Sequence, residues 1–459
     1  MRYHLVTLGC QMNLSDSERT RTVIEGMGFR PTAEAEDADL IGIIACSVRQ
    51  KAIDKVYSHI SRWNRLKNRK TILTFLSGCV LPADREKFLR LFDIVFPMSE
   101  LQQLPDMIRH HGVVTPVSTL VQAQTDHHGE DSFEKELKLN EHIGDFWNIH
   151  PIYASTFEAF VPIQNGCDKF CTFCAVPYTR GREISRLSGE ILEEILTLIA
   201  GDYKSITLLG QNVNSYGREK AGKEITFPQL LKEIGEMGRQ SDKDFWVYFT
   251  SPHPRDMTDE VIEAVASYPH LAKQIHLPVQ SGDDRVLSRM NRRHTVDDYR
   301  SIVHSIRRLL PSATLFTDII TGFTGETDDE FENTRRLMEE MKFNMAYIAQ
   351  YSPRPGAASF RLKDDVHFIT KKQRYHILSQ ELMKHSLALN QALVGKTMKV
   401  LVRGKERKEG FLSGYTEGRI PVRITSTNPG LEGKFIRVRI TSASALSIAG
   451  EEIPSVPTP

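Results

Sequence analysis

A chain of 459 residues, 40% hydrophobic and 25% charged, is too long for one ordinary core and has the composition of a soluble globular protein of two or three domains. No apolar run approaches the roughly 18–20 residues that a membrane helix needs, and residues 1–10 enter a strand pattern without the marks of a secretory signal, so no membrane partner and a cytoplasmic location are expected. The net charge of +1 excludes a uniformly basic nucleic-acid binder and leaves any such contact to local patches.

Along the first hundred residues, short apolar runs at 4–8, 39–45, 71–76 and 93–96 alternate with helical stretches at 15–27 and 50–66. This alternation predicts a small doubly wound, flavodoxin-like sheet over residues 1–120. Residues 121–152 turn polar and aperiodic and read as a linker. A longer series follows over 153–390, with strands expected at 160–164, 206–209, 246–250, 274–278, 315–320 and 345–350, each trailed by an amphipathic stretch. Six such units predict a partial or full α/β barrel whose active site lies at the carboxyl ends of the strands. After a helix at 371–393, residues 391–459 carry β-like runs at 397–402, 410–415, 420–424 and 435–440 between Gly, Asn-Pro-Gly and Ser turns, which predicts a small β-barrel.

Six cysteines are too sparse for a disulfide scaffold, and a reducing compartment would leave them as thiols. Cys10, Cys46 and Cys79 follow the first three predicted strands, so a parallel sheet would bring them out along one edge, where such sheets bind ligands. A single cysteine at a strand end is more often core than ligand; three at equivalent ends favour one shared site. Cys167, Cys171 and Cys174 form a C-x3-C-x2-C loop just after the first strand of the barrel. Three thiolates on one loop can hold three corners of a cubane cluster and leave the fourth iron open to a substrate. The alternative is zinc with a distant fourth ligand, although the paired knuckles or nearby histidines usual in such sites do not accompany the loop.

Gln211 and Asn212, Gln280 and Ser281, and Arg182 and Glu183 fall at or beyond predicted strand ends of the barrel, where their amides and charges would meet a bound cofactor. The segment 318–327 reads equally as a further contact with that cofactor or as a strand followed by a helix cap on Thr324 or Thr327. In the tail, basic residues such as Lys405, Arg407, Lys408, Arg437 and Arg439 outnumber acidic ones. With Phe411, Tyr415 or Phe435 as stacking faces, this bias suits contact with RNA phosphates, against the more usual meaning of a solvated surface. The basic run 62–70 reads as the polar side of a helix.

The cysteine loop and its continuation Ala175-Val176-Pro177-Tyr178-Thr179-Arg180-Gly181-Arg182-Glu183 resemble the radical S-adenosylmethionine (SAM) methylthiotransferases. The resemblance extends through Gly9-Cys10-Gln11-Met12-Asn13, Cys46-Ser47-Val48-Arg49, Gly210-Gln211-Asn212-Val213-Asn214, Thr250-Ser251-Pro252-His253-Pro254 and Pro278-Val279-Gln280-Ser281-Gly282, which are similar to the MiaB branch that modifies transfer RNA. It implies two 4Fe-4S clusters, one on Cys167, Cys171 and Cys174 that binds and cleaves SAM, and an auxiliary one on Cys10, Cys46 and Cys79 that delivers sulfur. It also implies a TRAM-type RNA-binding tail and methylthiolation of carbon 2 of N6-isopentenyladenosine beside the anticodon (position 37), with SAM as both radical source and methyl donor. The Arg182–Glu183, Gln211–Asn212 and Gln280–Ser281 pairs would then contact SAM. The partners expected are a tRNA anticodon stem-loop, an external one-electron reductant and a sulfur source, with the chain acting as a monomer.

The sister branches acting on threonylcarbamoyl-adenosine or on a ribosomal-protein aspartate are alternatives, against which Gln11-Met12-Asn13 and Ser47-Val48-Arg49 favour the isopentenyl branch. A non-catalytic, metal-stabilised RNA-binding protein is the alternative from another class. The sequence departs from the family's usual residues at Ile44-Ala45, at Val80-Leu81-Pro82 and at Thr324. The first two departures flank auxiliary cysteines, whose polar surroundings tune a cluster.

Overall fold

Strands β1 (Arg2–Leu8), β2 (Leu40–Cys46) and β3 (Leu73–Cys79) form the centre of a parallel sheet, with two-residue strands Arg30–Pro31 beside β1 and Ile94–Val95 beside β3. Counting these five strands in chain order, Arg30–Pro31 being the second and Ile94–Val95 the fifth, the sheet order is the flavodoxin-like 2-1-3-4-5. Every residue of β2 and β3 is buried, as befits a parallel sheet covered on both faces. The computed structural model describes residues 1–46, 50–112, 142–220 and 222–453. Ser47-Val48-Arg49 and most of the expected linker lie outside the described residues.

The helix expected at residues 15–27 begins a turn earlier, as α1 (Gln11–Gly26). Cys10 is its extended N-cap (φ −98°, ψ −177°), and the Cys10 N–H donates to Asn13 Oδ1 at 3.2 Å. Cysteine is not an ordinary cap residue, which is why the start was hidden. Helix α2 (Gln50–Leu66) has the bounds expected. The basic run behind its C-terminus is ion-paired, Arg62 with Glu36, Lys67 with Asp93 and Lys70 with Asp39, in keeping with a polar helix side.

The central domain lays six parallel strands side by side in chain order. β4 (Glu158–Pro162), β5 (Ser205–Leu209) and β6 (Trp246–Phe249) form one half, and β7 (Gln274–His276), β8 (Thr314–Thr321) and β9 (Met345–Gln350) the other. A bridge between Val247 and Leu271 joins the halves. Helices α3 (Ser188–Ala200), α4 (Phe227–Gln240), α5 (Asp259–Ser267), α6 (Val296–Leu309) and α7 (Asp328–Met341) cover the outside, and one continuous core fills the space between, including Ile206, Leu208, Val247, Ile275, Leu230 and Val303. Among the described residues β4 and β9 do not pair, so the barrel is partial. Helix α1 of the first domain packs on β4, with the Ser15 hydroxyl donating to the Phe160 carbonyl at 3.4 Å.

Helix α8 (Phe368–Gln391) leads to a closed five-stranded barrel, in the order β10 (Thr397–Lys405), β11 (Phe411–Thr416), β12 (Pro421–Thr425), β14 (Ile448–Ile453) and β13 (Phe435–Ala443). Strand β14 was not expected from the sequence. It closes the barrel by pairing parallel with β12 and antiparallel with β13. The barrel docks on the central domain through Trp246, whose ring lies 4.5 Å from that of Phe435, and through Glu158, which accepts from Tyr415 Oη at 2.7 Å and pairs with Arg403 at 3.1 Å. Arg419 is sandwiched between Tyr248 and Tyr415, 3.9 and 4.4 Å from the ring centres. Tyr415 and Phe435 therefore serve this interface and are not the stacking faces expected; apolar area and a buried hydroxyl partner hold them there.

Candidate active site

Cys46 and Cys79 are the last residues of β2 and β3 and stand opposite each other in register. Cys10 joins them from the end of β1, at the N-terminus of α1, where the helix dipole favours negative charge. The end of β3 needs Gly78: its φ is +105°, and a Cβ there would lie 2.4 Å from the Ala45 carbonyl oxygen. Burial pushes the Cys10 thiol up; Cys79 is held well above the usual thiol range, first by its hydrogen bond with Cys46 and then by burial. The departures beside this triad have architectural roles. Ile44 is core, Leu81 is buried, and Pro82 opens the helix Pro82–Leu89 at a position where a missing N–H costs nothing.

The second triad sits on a loop tied down from three sides. Gly166, with φ +78°, lets the chain pass Arg182, whose carbonyl oxygen would lie 2.0 Å from a Cβ. The Thr172 carbonyl accepts from the Ser359 N–H, while its own N–H donates to the Met290 carbonyl and its hydroxyl to the Arg289 carbonyl. Arg292 donates to Cys171 Sγ at 3.5 Å, and the Val176 N–H to Cys174 Sγ at 3.4 Å. Burial pushes Cys167 and Cys174 up to about 12, so these thiols stay protonated at neutral pH until a metal displaces the proton. Among the described residues no three His, Cys, Asp or Glu side chains close on a single metal ion. A cubane gives each thiolate its own iron, and three all-sulfur donors on either site suit that group.

A cavity of about 190 Å³ opens beside this loop at the carboxyl ends of the barrel strands. Cys167, Cys171 and Cys174 line it, together with Gln211 and Asn212 after β5, Ser251, Pro252 and His253 after β6, Pro278 and Gln280 after β7, and Lys169, Arg292 and Asp318. Gln211 Oε1, Asn212 Oδ1 and His253 Nε2 are buried with no hydrogen-bond partner. Buried polar atoms are rarely left so, and a polar ligand in the cavity would satisfy them. Ser251 (φ +58°) and Gln280 (φ +73°) hold left-handed backbone on its wall, a strain that recurs at ligand-binding positions.

The site residues expected from sequence divide accordingly. The three cysteines, Gln211, Asn212 and Gln280 line the cavity. Ser281 does not: it is fully buried on the other side of the chain, 3.2 Å from Thr334 Oγ1 of α7. Arg182 is exposed, ion-paired with Asp168 at 2.7 Å and laid over Phe170. Glu183 is buried behind the wall, accepts from Ser215 Oγ, and keeps Oε2 unpartnered. In the segment 318–327, Asp318 faces the cavity, whereas Thr327 caps α7, its hydroxyl accepting from the Glu330 N–H at 3.3 Å, as the cap reading expects. Lys169, His253 and Arg292 were not anticipated as cavity residues, although Thr250–Pro254 had been singled out as a motif.

The central domain reaches the first triad across the domain interface: Arg180, six residues beyond Cys174, donates to Cys79 Sγ at 3.0 Å and pairs with the buried Asp16 at 2.5 Å.

Curated relatives resemble the whole chain. The tRNA-2-methylthio-N(6)-dimethylallyladenosine synthases of Yersinia enterocolitica serotype O:8 / biotype 1B and Yersinia pestis (strain Pestoides F) are each 37% identical over 98% of this chain and 92% of their own length. The chain belongs to this family. The model of the Radical SAM superfamily matches residues 161–338, that of Uncharacterized protein family UPF0004 residues 2–97, and that of the TRAM domain residues 391–451. In fold, the chain is similar to the radical S-adenosylmethionine methyltransferase TsrM from Kitasatospora setae, solved with cobalamin and a [4Fe-4S] cluster, with TM-score 0.55 and 12% identity over 90% of this chain and 77% of that one. The same enzyme with tryptophan and a SAM analogue matches at TM-score 0.53 over 88% and 79%, again at 12% identity.

On the TRAM barrel of this family member, Lys399, Arg403 and Arg423 are paired with Asp244, Glu158 and Glu406. Lys405, Arg407 and Lys408 are exposed and, among the described residues, carry no ion pair. Phe411 lies between Lys408 and Arg423, 5.3 and 5.4 Å from its ring centre. This edge, and not the Tyr415 face, is the basic and aromatic surface open to solvent.

Proposed function

We propose that this chain attaches a methylthio group to carbon 2 of an N6-dimethylallyl (isopentenyl) adenosine beside the anticodon of tRNA. The observation that carries the reading is a cysteine triad on the wall of a cavity with orphaned polar atoms, in a domain that reaches a second cysteine triad through Arg180. Cys167, Cys171 and Cys174 would hold one 4Fe-4S cluster, and Cys10, Cys46 and Cys79 the other. When bound, these groups supply an electron that cleaves SAM to a hydrogen-abstracting radical and the sulfur that replaces the hydrogen. Gln211, Asn212, Gln280 and His253 bind and orient SAM in the cavity, while Glu183 and Ser281 brace its wall and Arg182 fixes the cysteine loop through Asp168. The Lys405, Arg407, Lys408 and Phe411 edge takes the RNA.

The names of the relatives support the dimethylallyl substrate over the threonylcarbamoyl and ribosomal-protein alternatives. A strained, polar cavity beside the thiols suits an enzyme better than a metal-stabilised binding module. The enzyme works in the cytoplasm as a monomer, with an external one-electron reductant and a sulfur source to restore the second cluster.

The test is anaerobic reconstitution with iron and sulfide, then SAM, reductant and isopentenylated anticodon-stem RNA, followed by nucleoside mass analysis. A gain of one methylthio group is expected. Cys174→Ala abolishes deoxyadenosine release, whereas Cys46→Ala permits it and blocks thiolation; equal loss of both activities in both variants overturns this division of roles.

A further inference from the structure

Arg180 belongs to the central domain, yet its guanidinium is spent on the N-terminal one. The side chain is 5% exposed. Its Nε donates to Cys79 Sγ at 3.0 Å, Nη2 reaches Asp16 Oδ2 at 2.5 Å, and Nη1 lies 3.2 Å from Asn165 Oδ1. Asp16 is fully buried, and besides Arg180 its carboxylate is approached by Asn13 Nδ2 at 3.4 Å. A buried Arg–Asp pair is weak as a stabilising device, since desolvation offsets most of its attraction. What this pair does achieve is to aim one N–H at one particular sulfur. The planar fork of arginine can serve a carboxylate and a sulfur at once, which the point charge of lysine cannot do with the same geometry.

We infer that Arg180 is a positioning residue that raises the reduction potential of the cluster held by Cys10, Cys46 and Cys79, through its hydrogen bond to the Cys79 sulfur, while Asp16 holds the guanidinium in place. The inference rests on the reading of that triad as a cluster site. A hydrogen bond and a buried cation at a ligating sulfur stabilise the reduced, more negative state and so make reduction easier. Cys171 receives a comparable bond from Arg292, but that arginine comes from the triad's own domain, whereas Arg180 ties the electronics of one site to the docking of the other domain.

The experiment uses the full chain with Cys167, Cys171 and Cys174 all changed to Ala, so that only the N-terminal site can hold a cluster, and follows a redox titration by electron paramagnetic resonance alongside iron analysis. Arg180→Gln is expected to keep its iron and shift the midpoint to lower potential by at least tenfold in the reduction equilibrium, about 59 mV for one electron. Arg180→Lys is expected to fall between Arg180→Gln and the parent. A parental midpoint in Arg180→Gln at full iron content overturns the inference. If Arg180→Gln holds no iron, Arg180→Lys is read in its place, a lowered midpoint supporting the inference and a parental one overturning it; loss of iron from both makes Arg180 a scaffold and also overturns it. A parent protein that binds no iron overturns instead the assignment of the N-terminal triad, which separates the two failures.

Discussion

Arg292 holds Cys171 Sγ with one nitrogen at 3.5 Å and the Pro278 carbonyl with another at 2.7 Å, so it fixes the cysteine loop against the end of β7. Arg292→Gln would keep polarity but lose both the charge and the reach. SAM cleavage, read as deoxyadenosine release under anaerobic conditions, is expected to drop about 10–100-fold, the usual cost of losing a partner that orients a ligand. Glu18 is a different kind of residue. It lies in the interface between the first two domains, accepting from the Ala154 N–H at 2.9 Å, and burial raises its carboxyl from 4.5 to about 7. Its folded state therefore binds a proton that the unfolded state releases near 4.5, and stability is lost as pH rises from there through about 7. Glu18→Gln removes that loss, so thermal melts of variant and parent should diverge in favour of the variant across this window and run parallel above it. At this scale the sequence was legible where chemistry dictated residue type, as with the six cysteines. It was not legible for Gln280 and Ser281, adjacent polar residues that leave an extended chain on opposite sides; which one faces the cavity depends on the position of α7.

Gly78 shows how much a single strand end carries. It sits one residue before Cys79 in β3, at φ +105°, with no room for a side chain beside Ala45. Gly78→Ala is expected to cost about 1–3 kcal/mol, seen as a lowered melting temperature, together with loss of iron from the N-terminal site while the Cys167 loop keeps its own. Most strands were readable because β-branched and aliphatic runs end at turns; β9 and α2 carry the bounds expected from pattern alone. Strand β14 escaped because Ile448-Ala-Gly-Glu-Glu-Ile breaks alternation with a glycine and two glutamates, and only closure of the barrel gives it partners. Arg180 escaped for a related reason: nothing local marks a basic residue at the end of the helix Val176–Arg180 as buried, and its burial depends on α1 of another domain supplying Asp16.

The three domains are joined by polar seams and one aromatic one. At the aromatic seam, Phe435→Ala removes the ring packed on Trp246 and the cation contact with Lys399, 4.2 Å from its centre. The expected cost is about 1.5–3 kcal/mol of docking energy from lost apolar burial. Limited proteolysis should then cut near the start of β10, and thiolation of RNA should fall while SAM cleavage without RNA persists. That outcome follows because the cavity and both triads lie away from this seam. The sandwiched Arg419 has a consequence of its own for the substrate. Clamped between Tyr248 of one barrel and Tyr415 of the next, it ties the C-terminal barrel to the central one, so under the proposed function the span from the Lys405–Lys408 edge to the cysteines would serve as a fixed ruler. A hairpin gripped at its backbone would offer for modification whichever base lies at that measured reach, and inserting a base pair between grip and loop would move the mark to a different nucleotide.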